Sequence, residues 1–453
     1  MKKVAAFFHN KDLLNRILFT FAIFLVFRIG SAITVPGVQT NQDIFADTTN
    51  ALSILNRMGG GALQNFSLMA LGVSPYITAQ IIIQLLSMDV LPALTQRTKE
   101  GETGRKKIDV VTRLLSVVLA AVQAYGIIVA LRNNSEAITV LDTSPWGYTK
   151  VILFMVAGSL ILTWMGDQIT DKGIGNGISR LIFAGIISSL PSQITSAFKE
   201  YLSSSTVDSA DPSLILEGSV RLVVYLLARF LIVVFVTFIE SSVRKLPVSH
   251  SNTSQSTELS SQQSSFLPIK VNASSVRPVI FASSIRRAPS ILVSLFSNGN
   301  PPAWAEKIEE VFNYQARTKR GDNFSFPWGP IIYAVLIIAF SYFYAQLEIN
   351  PERIAEDFQT SGTYITGIKP GRETERYISR ILNRITFRGS LALTAIALLP
   401  VILSLSGAVP SSLSLGGTGL IIVVGVALEV NNQINGILAG QGFAESELEN
   451  GKR

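Results

Sequence analysis

Apolar runs of about twenty residues recur along the chain and alternate with polar segments. A run of that length is long enough for an α-helix to cross the hydrocarbon core of a bilayer. The pattern predicts ten such spans, which are Ile17–Val35, Phe66–Met88, Val110–Leu131, Tyr148–Met165, Ile174–Ile194, Val220–Ile239, Val276–Phe296, Trp328–Leu347, Ser390–Leu405 and Leu420–Leu438. We therefore expect an all-α polytopic membrane protein with ten transmembrane helices.

The second apolar run contains a break. Gly59, Gly60 and Gly61 lie just before it and can adopt backbone angles closed to other residues, so a tight turn is expected there. Residues Ala62–Leu71 are predicted to form a short helix, about half of what is needed to cross a bilayer. Pro75 disfavours a continuous helix but suits the first turn of a second one. Such a discontinuous segment is tolerated where it lines a cavity. An ordinary membrane helix after a glycine-rich loop remains the alternative.

The composition limits the chemistry open to the chain. Of its 453 residues, 48% are hydrophobic and 15% are charged, whereas soluble proteins carry about 25% charged residues. The absence of cysteine excludes thiol catalysis, thiolate metal sites and disulfides. His9 and His250 lie far apart in polar stretches, so no metal site is predicted. Gly173–Gly177 (GIGNG) is predicted to be a helix-capping turn rather than a nucleotide site, and no cofactor is expected.

Few ionisable residues stand out within the spans. Arg28, Arg180, Arg286 and Arg287 are basic, and the acids Asp167 and Glu240 lie near span ends. A proton- or sodium-coupled transporter usually needs a buried carboxylate or a coordinating polar cluster. Intramembrane catalysis needs a nucleophile, paired acids or a metal. The spans offer Ile, Val, Gly and Ser instead, which suits close packing around an apolar centre. The alternatives, a secondary transporter and a membrane enzyme, lose support.

The net charge of +7 is unevenly placed. Most loop Lys and Arg lie on the side shared by the two termini, which predicts that both termini are cytoplasmic. Two loops on that side are long. The middle of residues 240–275 is rich in Ser, Gln and Asn and is expected to be a flexible tip. The second long loop is residues 350–388. Its last part, Arg372–Arg388, is expected to form a helix with arginine at every fourth position, whose basic face either docks a partner or is solvated near lipid phosphates.

Seven motifs, in order along nearly the whole chain, carry a resemblance to a known family. They are FRIGSAITVPG (Phe27–Gly37), GGALQNFSLMALGVSPYITAQIIIQLL (Gly60–Leu86), EGETGRKK (Glu100–Lys107), GDQITDKGIGNGIS (Gly166–Ser179), LPIKVNASSVRPVIFASSI (Leu267–Ile285), GIKPGRETERYISRI (Gly367–Ile381) and GGTGLIIVV (Gly416–Val424). On these motifs the chain resembles the SecY family, the channel-forming subunits of the bacterial Sec protein translocase.

The resemblance implies a fold and a pore. Residues 1–200, with spans one to five, and residues 201–453, with spans six to ten, would form two inverted, pseudo-symmetric halves that close like a clamshell. The short helix Ala62–Leu71 would be a plug with the glycines as its hinge; its implied residues are Gly60, Gly61, Ala62, Leu63 and Phe66. The apolar ring that seals the pore would consist of Val73, Ile77, Ile182, Ile280 and Ile422. A narrow apolar constriction resists wetting and so blocks ions without binding them. Taken singly and without the motif match, each ring residue would be better explained by helix packing.

The same resemblance implies a lateral gate and partners. The gate would lie between spans two/three and seven/eight and be held shut by amide hydrogen bonds of about 1 kcal/mol each; its residues would be Gln84, Gln123 and Asn272. The loops after spans six and eight would dock the SecA ATPase and the ribosome through Arg244, Lys245, Lys369, Arg372, Arg376 and Arg380. SecE would be an obligate partner, with SecG and a membrane insertase as further ones, and signal sequences, nascent polypeptides and membrane lipids would also bind.

The implied function is a protein-conducting channel of the plasma membrane, without catalysis or cofactor. It would pass unfolded secretory proteins and release transmembrane segments sideways into lipid, driven by SecA or the ribosome. An accessory paralogue for specialised substrates is the alternative.

Two regions depart from the family's pattern. Lys369 stands where the turn after span eight usually carries Arg, which keeps the charge but loses the bidentate geometry. Arg277 replaces an apolar residue at the start of span seven, and Arg286 and Arg287 interrupt its apolar run. Charges at mid-helix are costly in lipid. We therefore expect these side chains to face water or the pore, or to snorkel.

Overall fold

The computed structural model describes residues 11–40, 60–87, 91–133, 138–142, 144–203, 212–250, 266–272, 274–296, 303–312, 318–319, 325–326, 328–405 and 416–450. Within these ranges the chain is mostly helical, as predicted. Numbered in chain order, the helices are α1 (Lys11–Ala32), α2 (Ser74–Leu86), α3 (Pro92–Lys99), α4 (Glu102–Asn133), α5 (Pro145–Lys172), α6 (Gly177–Phe198), α7 (Pro212–Ser241), α8 (Arg277–Phe296), α9 (Ala303–Phe312), α10 (Trp328–Glu348), α11 (Pro351–Thr360), α12 (Arg372–Leu405) and α13 (Gly416–Asn450). A short π-helical turn, Lys199–Ser203, follows α6 directly.

Each of the ten predicted spans coincides with a helix, and eight of those helices in the described residues are long and apolar enough to cross a membrane. The two exceptions have physical reasons. Helix α2 has only 13 residues, and α8 carries three arginines in its 20 residues. The helices of spans three and nine begin well before the predicted spans: α4 begins at Glu102 and α12 begins at Arg372. The basic stretch Arg372–Arg388 is thus helical, as predicted, and continues without a break into span nine.

Short strands lie in the connections between helices and were not predicted. They are β1 (Val38–Thr40), β2 (Ile138–Val140), β3 (Val243–His250), β4 (Phe266–Lys270), β5 (Thr318–Lys319), β6 (Ser325–Phe326) and β7 (Thr363–Ile365). Strands β1 and β2 pair antiparallel, and so do β5 and β6. The largest sheet has the order β4-β3-β7, with both pairings antiparallel. It joins the loop after span six to the loop after span eight. The predicted flexible tip of the first loop, residues 251–265, lies outside the described residues.

The break before span two is real, but the predicted short helix Ala62–Leu71 is wrong. Residues 60–73, the turn segment, form a succession of turns instead. Phe66 has a φ of +42°, in the left-handed region that a right-handed helix cannot accommodate. The segment also hydrogen-bonds to the chain just after α1: Val35 N–H donates to the carbonyl of Phe66 (3.0 Å), and Leu68 N–H donates to that of Ile33 (3.0 Å). Those bonds use backbone groups that a helix would have paired internally.

Two helix starts follow the predicted chemistry. Helix α2 begins at Ser74 with Pro75 in its first turn, where the missing N–H costs nothing. Helix α6 begins after Asn176, whose side chain accepts a hydrogen bond from Ser179 N–H (3.2 Å). The glycine-rich stretch before α6 is therefore a helix-capping turn, as predicted.

The apolar core is divided into two main clusters. The central cluster contains buried side chains from α1, α2, α5, α6, α7, α8, α10, α12 and α13. The second cluster lies between the turn segment, α4 and α5. Helices on either side of residue 200 contact each other, since α2 and α4 pack on α8 and α6 packs on α13. The division of the chain into two inverted halves at about residue 200 stays a prediction.

Candidate pore, plug and gate

The five predicted ring residues all lie in the central cluster. Val73 and Ile77 come from the start of α2, and the other three come from α6, α8 and α13. Each side chain is at most 8% exposed. Four helices that are distant in sequence therefore contribute branched apolar side chains to the same buried cluster. Their assignment as a pore ring stays a prediction, which this placement supports.

Two glycines explain how α13 packs closely against α6 and the start of α8. A Cβ on Gly425 would lie 2.3 Å from Cγ1 of Val276, at the start of α8. A Cβ on Gly419 would lie 3.2 Å from Cγ2 of Ile186 on α6. Only glycine allows the first approach, because real Cβ contacts are never so short. Ile422 is one turn from each glycine, so α13 is held between α6 and α8 at that level.

The turn segment bridges the two clusters. Ala62 belongs to the central cluster, together with the ring residues. Leu63 and Phe66 are fully buried in the second cluster, against α4 and α5. Gly60 and Gly61 have φ values of +69° and +86° and supply the predicted turn; Gly59 lies outside the described residues. All five predicted plug residues thus belong to one packed segment, although it is not a helix.

Side chains from two helices fasten the turn segment. Arg28 of α1 donates a hydrogen bond from Nη1 to the carbonyl of Gly60 (2.8 Å). The hydroxyl of Ser159 on α5 donates to the carbonyl of Gly72 (3.1 Å). Next to Ser159, a Cβ on Gly158 would lie only 1.7 Å from the carbonyl oxygen of Leu68. The segment is therefore seated directly on α5.

The three predicted gate amides do not hydrogen-bond to one another in the described part of the chain. Gln84 of α2 instead accepts a hydrogen bond from the hydroxyl of Tyr344 on α10 (2.9 Å). Asn272, just before α8, donates from Nδ2 to a carboxylate oxygen of Glu240 at the end of α7 (2.6 Å). Gln123 of α4 is buried. The seam is closed, since α2 and α4 both contact α8.

Glu240 is the centre of a small polar network that the sequence did not predict. Ser275 donates to its second carboxylate oxygen (3.4 Å). Asn272 also donates to the carbonyl of Ser275 (3.0 Å), and the hydroxyl of Ser274 donates to the side-chain oxygen of Asn272 (3.3 Å). The signal available in the sequence was an acid at the end of an otherwise apolar span. Its partner could not be inferred, because the two are separated by a long loop.

The predicted docking residues are all exposed side chains of the two long loops. Arg244 and Lys245 are exposed on β3, and Lys245 lies over the ring of Phe266 (4.5 Å to the centroid). Lys369 and the arginines of α12 are exposed too; these arginines are Arg372, Arg376 and Arg380. Beneath them, Leu246 and Ile269 of the sheet pack on Ile381 and Ile385 of α12. The two long loops therefore form one packed unit, named the basic unit here: the sheet β4-β3-β7 with the first half of α12.

The arginines inside the spans have specific partners. Arg277 pairs with Glu348 at the end of α10 (2.5 Å). The burial of the Arg286 side chain excludes two of its expected positions, facing water and snorkelling, and the third, facing the pore, stays a prediction. It donates to the carbonyl of Phe312 (3.3 Å) and its guanidinium lies 5.5 Å from the ring centroid of Tyr333. This position ties α8 to α9 and α10. The side chain of Arg287 lies outside the described residues.

Two further arginines link helices. Arg180 of α6 is buried and donates to the side-chain oxygen of Gln433 on α13 (3.3 Å). Arg229, in the middle of α7, donates to Gln193 of α6 (3.0 Å) and stacks on Tyr225. Arg229 was not among the predicted residues, although an arginine at the centre of an apolar span is itself a signal.

The fold and this site define a polytopic membrane protein of the channel class: helices that cross the membrane surround an apolar centre, and an irregular segment packs against it. A family model described as SecY matches residues 67–431. The protein translocase subunit SecY 1 of Lactobacillus kefiranofaciens subsp. kefiranofaciens is 40% identical over 432 residues, which cover 95% of this chain and 96% of that protein.

Solved structures agree in fold. One described as a protein-conducting channel superposes with a TM-score of 0.64 at 19% identity and covers 93% of this chain and 92% of its own. A second, described as showing that the plug domain of SecY stabilises the closed channel, gives 0.62 at 18% identity, with the same shares covered. The chain belongs to the SecY family, whose members are channel subunits of protein translocases.

Proposed function

We propose that this chain passes unfolded secretory proteins across the bacterial plasma membrane through a pore at the central cluster, with both termini in the cytoplasm. The observation that carries this is that five branched apolar side chains from α2, α6, α8 and α13 belong to one buried cluster, which the turn segment joins through Ala62. An apolar constriction of this kind stays dry and blocks ions, yet it makes no chemical demand on a passing polypeptide. The turn segment acts as the plug of the closed channel.

Transmembrane segments leave this pore sideways, between α2/α4 and α8/α10. The support is that few polar bonds cross this seam. Among the described residues, the hydrogen bond between Tyr344 and Gln84 is one that does. Interhelical hydrogen bonds in membranes contribute only about 1 kcal/mol each. A signal sequence that packs in the seam can replace such a bond, and an apolar segment is then more stable in lipid than in the channel.

The basic unit docks the cytoplasmic partners that drive transport, SecA and the ribosome. Its exposed Arg and Lys side chains present positive charge on a rigid base, and such a surface suits ribosomal RNA phosphates or an acidic protein face. In the most apolar stretch of α1, and likewise of α7, only 17% of the residues are buried. Those faces contact lipid and the partners SecE and SecG; a membrane insertase receives the released segments.

The first test compares the ionic conductance of the purified complex in a planar bilayer with and without residues Gly60–Phe66. The wild type is expected to pass little current, because plug and ring both seal it. The deletion is expected to give large or flickering current, because the ring alone opens transiently. If the deletion variant passes no current while a small solute exchanges across the membrane, the channel function is refuted and a transporter is favoured.

A further inference from the structure

Arg28 occupies an unusual place for a charged residue. It lies in the last turns of α1, a helix apolar enough to span the membrane. Charged side chains within spans are expensive and mark functional positions by default. Arg28 belongs to none of the ion pairs among the described residues. Its partner is a backbone carbonyl, that of Gly60 at 2.8 Å.

The other attachments of the turn segment to α1 and the residues just after it lie further along the segment, at residues 66–69. Val35 and Ile33 bond to the backbone of Phe66 and Leu68. A Cβ on Gly30 would lie 2.3 Å from the methyl carbon of Met69, so the two are in close contact. These contacts fix residues 66–69 only. The near end begins with two glycines that have positive φ, and the backbone there is intrinsically permissive.

We infer that Arg28 is a plug-positioning residue: its hydrogen bond to the Gly60 carbonyl holds the near end of the turn segment in the closed channel. The inference rests on the proposed function of that segment as a plug. A bond between a guanidinium and a neutral carbonyl suits this role. It is charge-assisted and therefore stronger than a neutral hydrogen bond, yet it leaves no opposite charge behind in the membrane when the segment moves away.

The test is the substitution Arg28→Leu, measured in two backgrounds. In the full-length chain, it is expected to raise the current through the resting channel on the order of tenfold, as loss of one charged hydrogen bond does to an equilibrium. Arg28→Lys, which keeps a charged donor, is expected to recover most of the closure. In the chain that lacks Gly60–Phe66, Arg28→Leu is expected to change nothing further, since the carbonyl partner is gone.

The control substitution is Arg16→Leu on the same helix. Arg16 is exposed and pairs with Asp12 one turn away, so its loss is not expected to affect the current. A second readout uses the absence of cysteine from the chain. Leu63→Cys places one thiol in the plug, at a fully buried position. Its labelling by a water-soluble maleimide is expected to accelerate about tenfold when Arg28→Leu is added.

The outcomes separate this inference from the proposed function. A conducting deletion variant with a silent Arg28→Leu and unchanged labelling would overturn the role of Arg28 and leave the channel intact. An Arg28→Leu effect that is equally large in the deletion background would also overturn it, because the residue would then act elsewhere, for example on lipid phosphates. A silent deletion variant would overturn the proposed function itself. If Arg28→Leu fails to accumulate, Arg28→Gln, with a weaker and uncharged donor, is measured in its place.

Discussion

The contact between Gly158 and the plug gives the sharpest prediction about the closed state. Gly158→Ala places a methyl carbon 1.7 Å from the carbonyl oxygen of Leu68. An ordinary contact between carbon and oxygen needs about 3.3 Å, so the turn segment and α5 must separate by about 1.6 Å. Alanine is favoured over glycine in a helix by about 1 kcal/mol, and α5 itself is therefore not expected to be lost.

The displacement is expected to fall on the turn segment, which lacks the regular hydrogen-bond ladder that holds α5. Overpacking of this kind costs about 1–3 kcal/mol. The ratio of seated to displaced plug then falls by about 5- to 150-fold. Single-channel recording in a planar bilayer should show more frequent openings in the Gly158→Ala variant than in the wild type, while its thermal unfolding temperature changes little.

Gly436→Ala is the matched control. Gly436 is also helical, in α13, and a Cβ added there meets nothing within 4 Å. This variant is expected to be as closed as the wild type. A Gly158→Ala protein that is folded and equally closed would refute the reasoning, because the carbonyl of Leu68 could not then rest against α5.

Three further predictions concern the ring and the gate. Ile182→Asn, in the ring, is expected to raise ion leak by wetting the constriction, whereas Ile187→Asn on the exposed face of the same helix is not; equal leak from both would contradict the ring. Tyr344→Phe removes the hydroxyl that donates to the amide oxygen of Gln84 on α2, a bond of about 1 kcal/mol. The variant should therefore export proteins with weaker signal sequences in a translocation assay; an unchanged signal-sequence threshold would count against this gate bond. Glu240→Ala removes the carboxylate acceptor of Asn272, a predicted gate residue, which costs about 1.5–3 kcal/mol; export should therefore change more than in Glu240→Gln, and identical export by the two variants would refute a role of this bond in the gate.

The sequence predicted those features that depend on local pattern. Spans follow from the length of apolar runs, and the break before α2 follows from glycines and Pro75. The ring residues were assigned from motifs, and their shared burial supports that assignment. The basic helix followed from its arginine spacing. Its continuation into span nine could not be predicted, because the residues between the two are compatible with either a turn or a helix.

Other features depend on partners far apart in the chain and could not be predicted. Strand β3 pairs with β7, more than a hundred residues later, and neither strand has a distinctive alternation. The turn segment lacks a helix because Phe66 has a positive φ and the backbone bonds to residues after α1, which is a tertiary effect. Glu240 and Asn272 are brought together by the ends of β3 and β4, and so their hydrogen bond required the sheet to be known first.

The positions of these contacts imply that the closed channel has two separable seals. The described hydrogen bonds of the plug to its surroundings, and the closest approaches at glycine, are made with α1 and the residues just after it, α5 and α6, all before residue 200. The ring takes residues from both sides of that position, and the gate bond between Gln84 and Tyr344 also crosses it. If α2 and α4 separate from α8 and α10, the ring must widen, but the plug can travel with its own helices and remain seated. Opening the seam for a signal sequence therefore need not release the plug, and the Arg28 and Gly158 contacts must be broken in a separate step before a polypeptide passes.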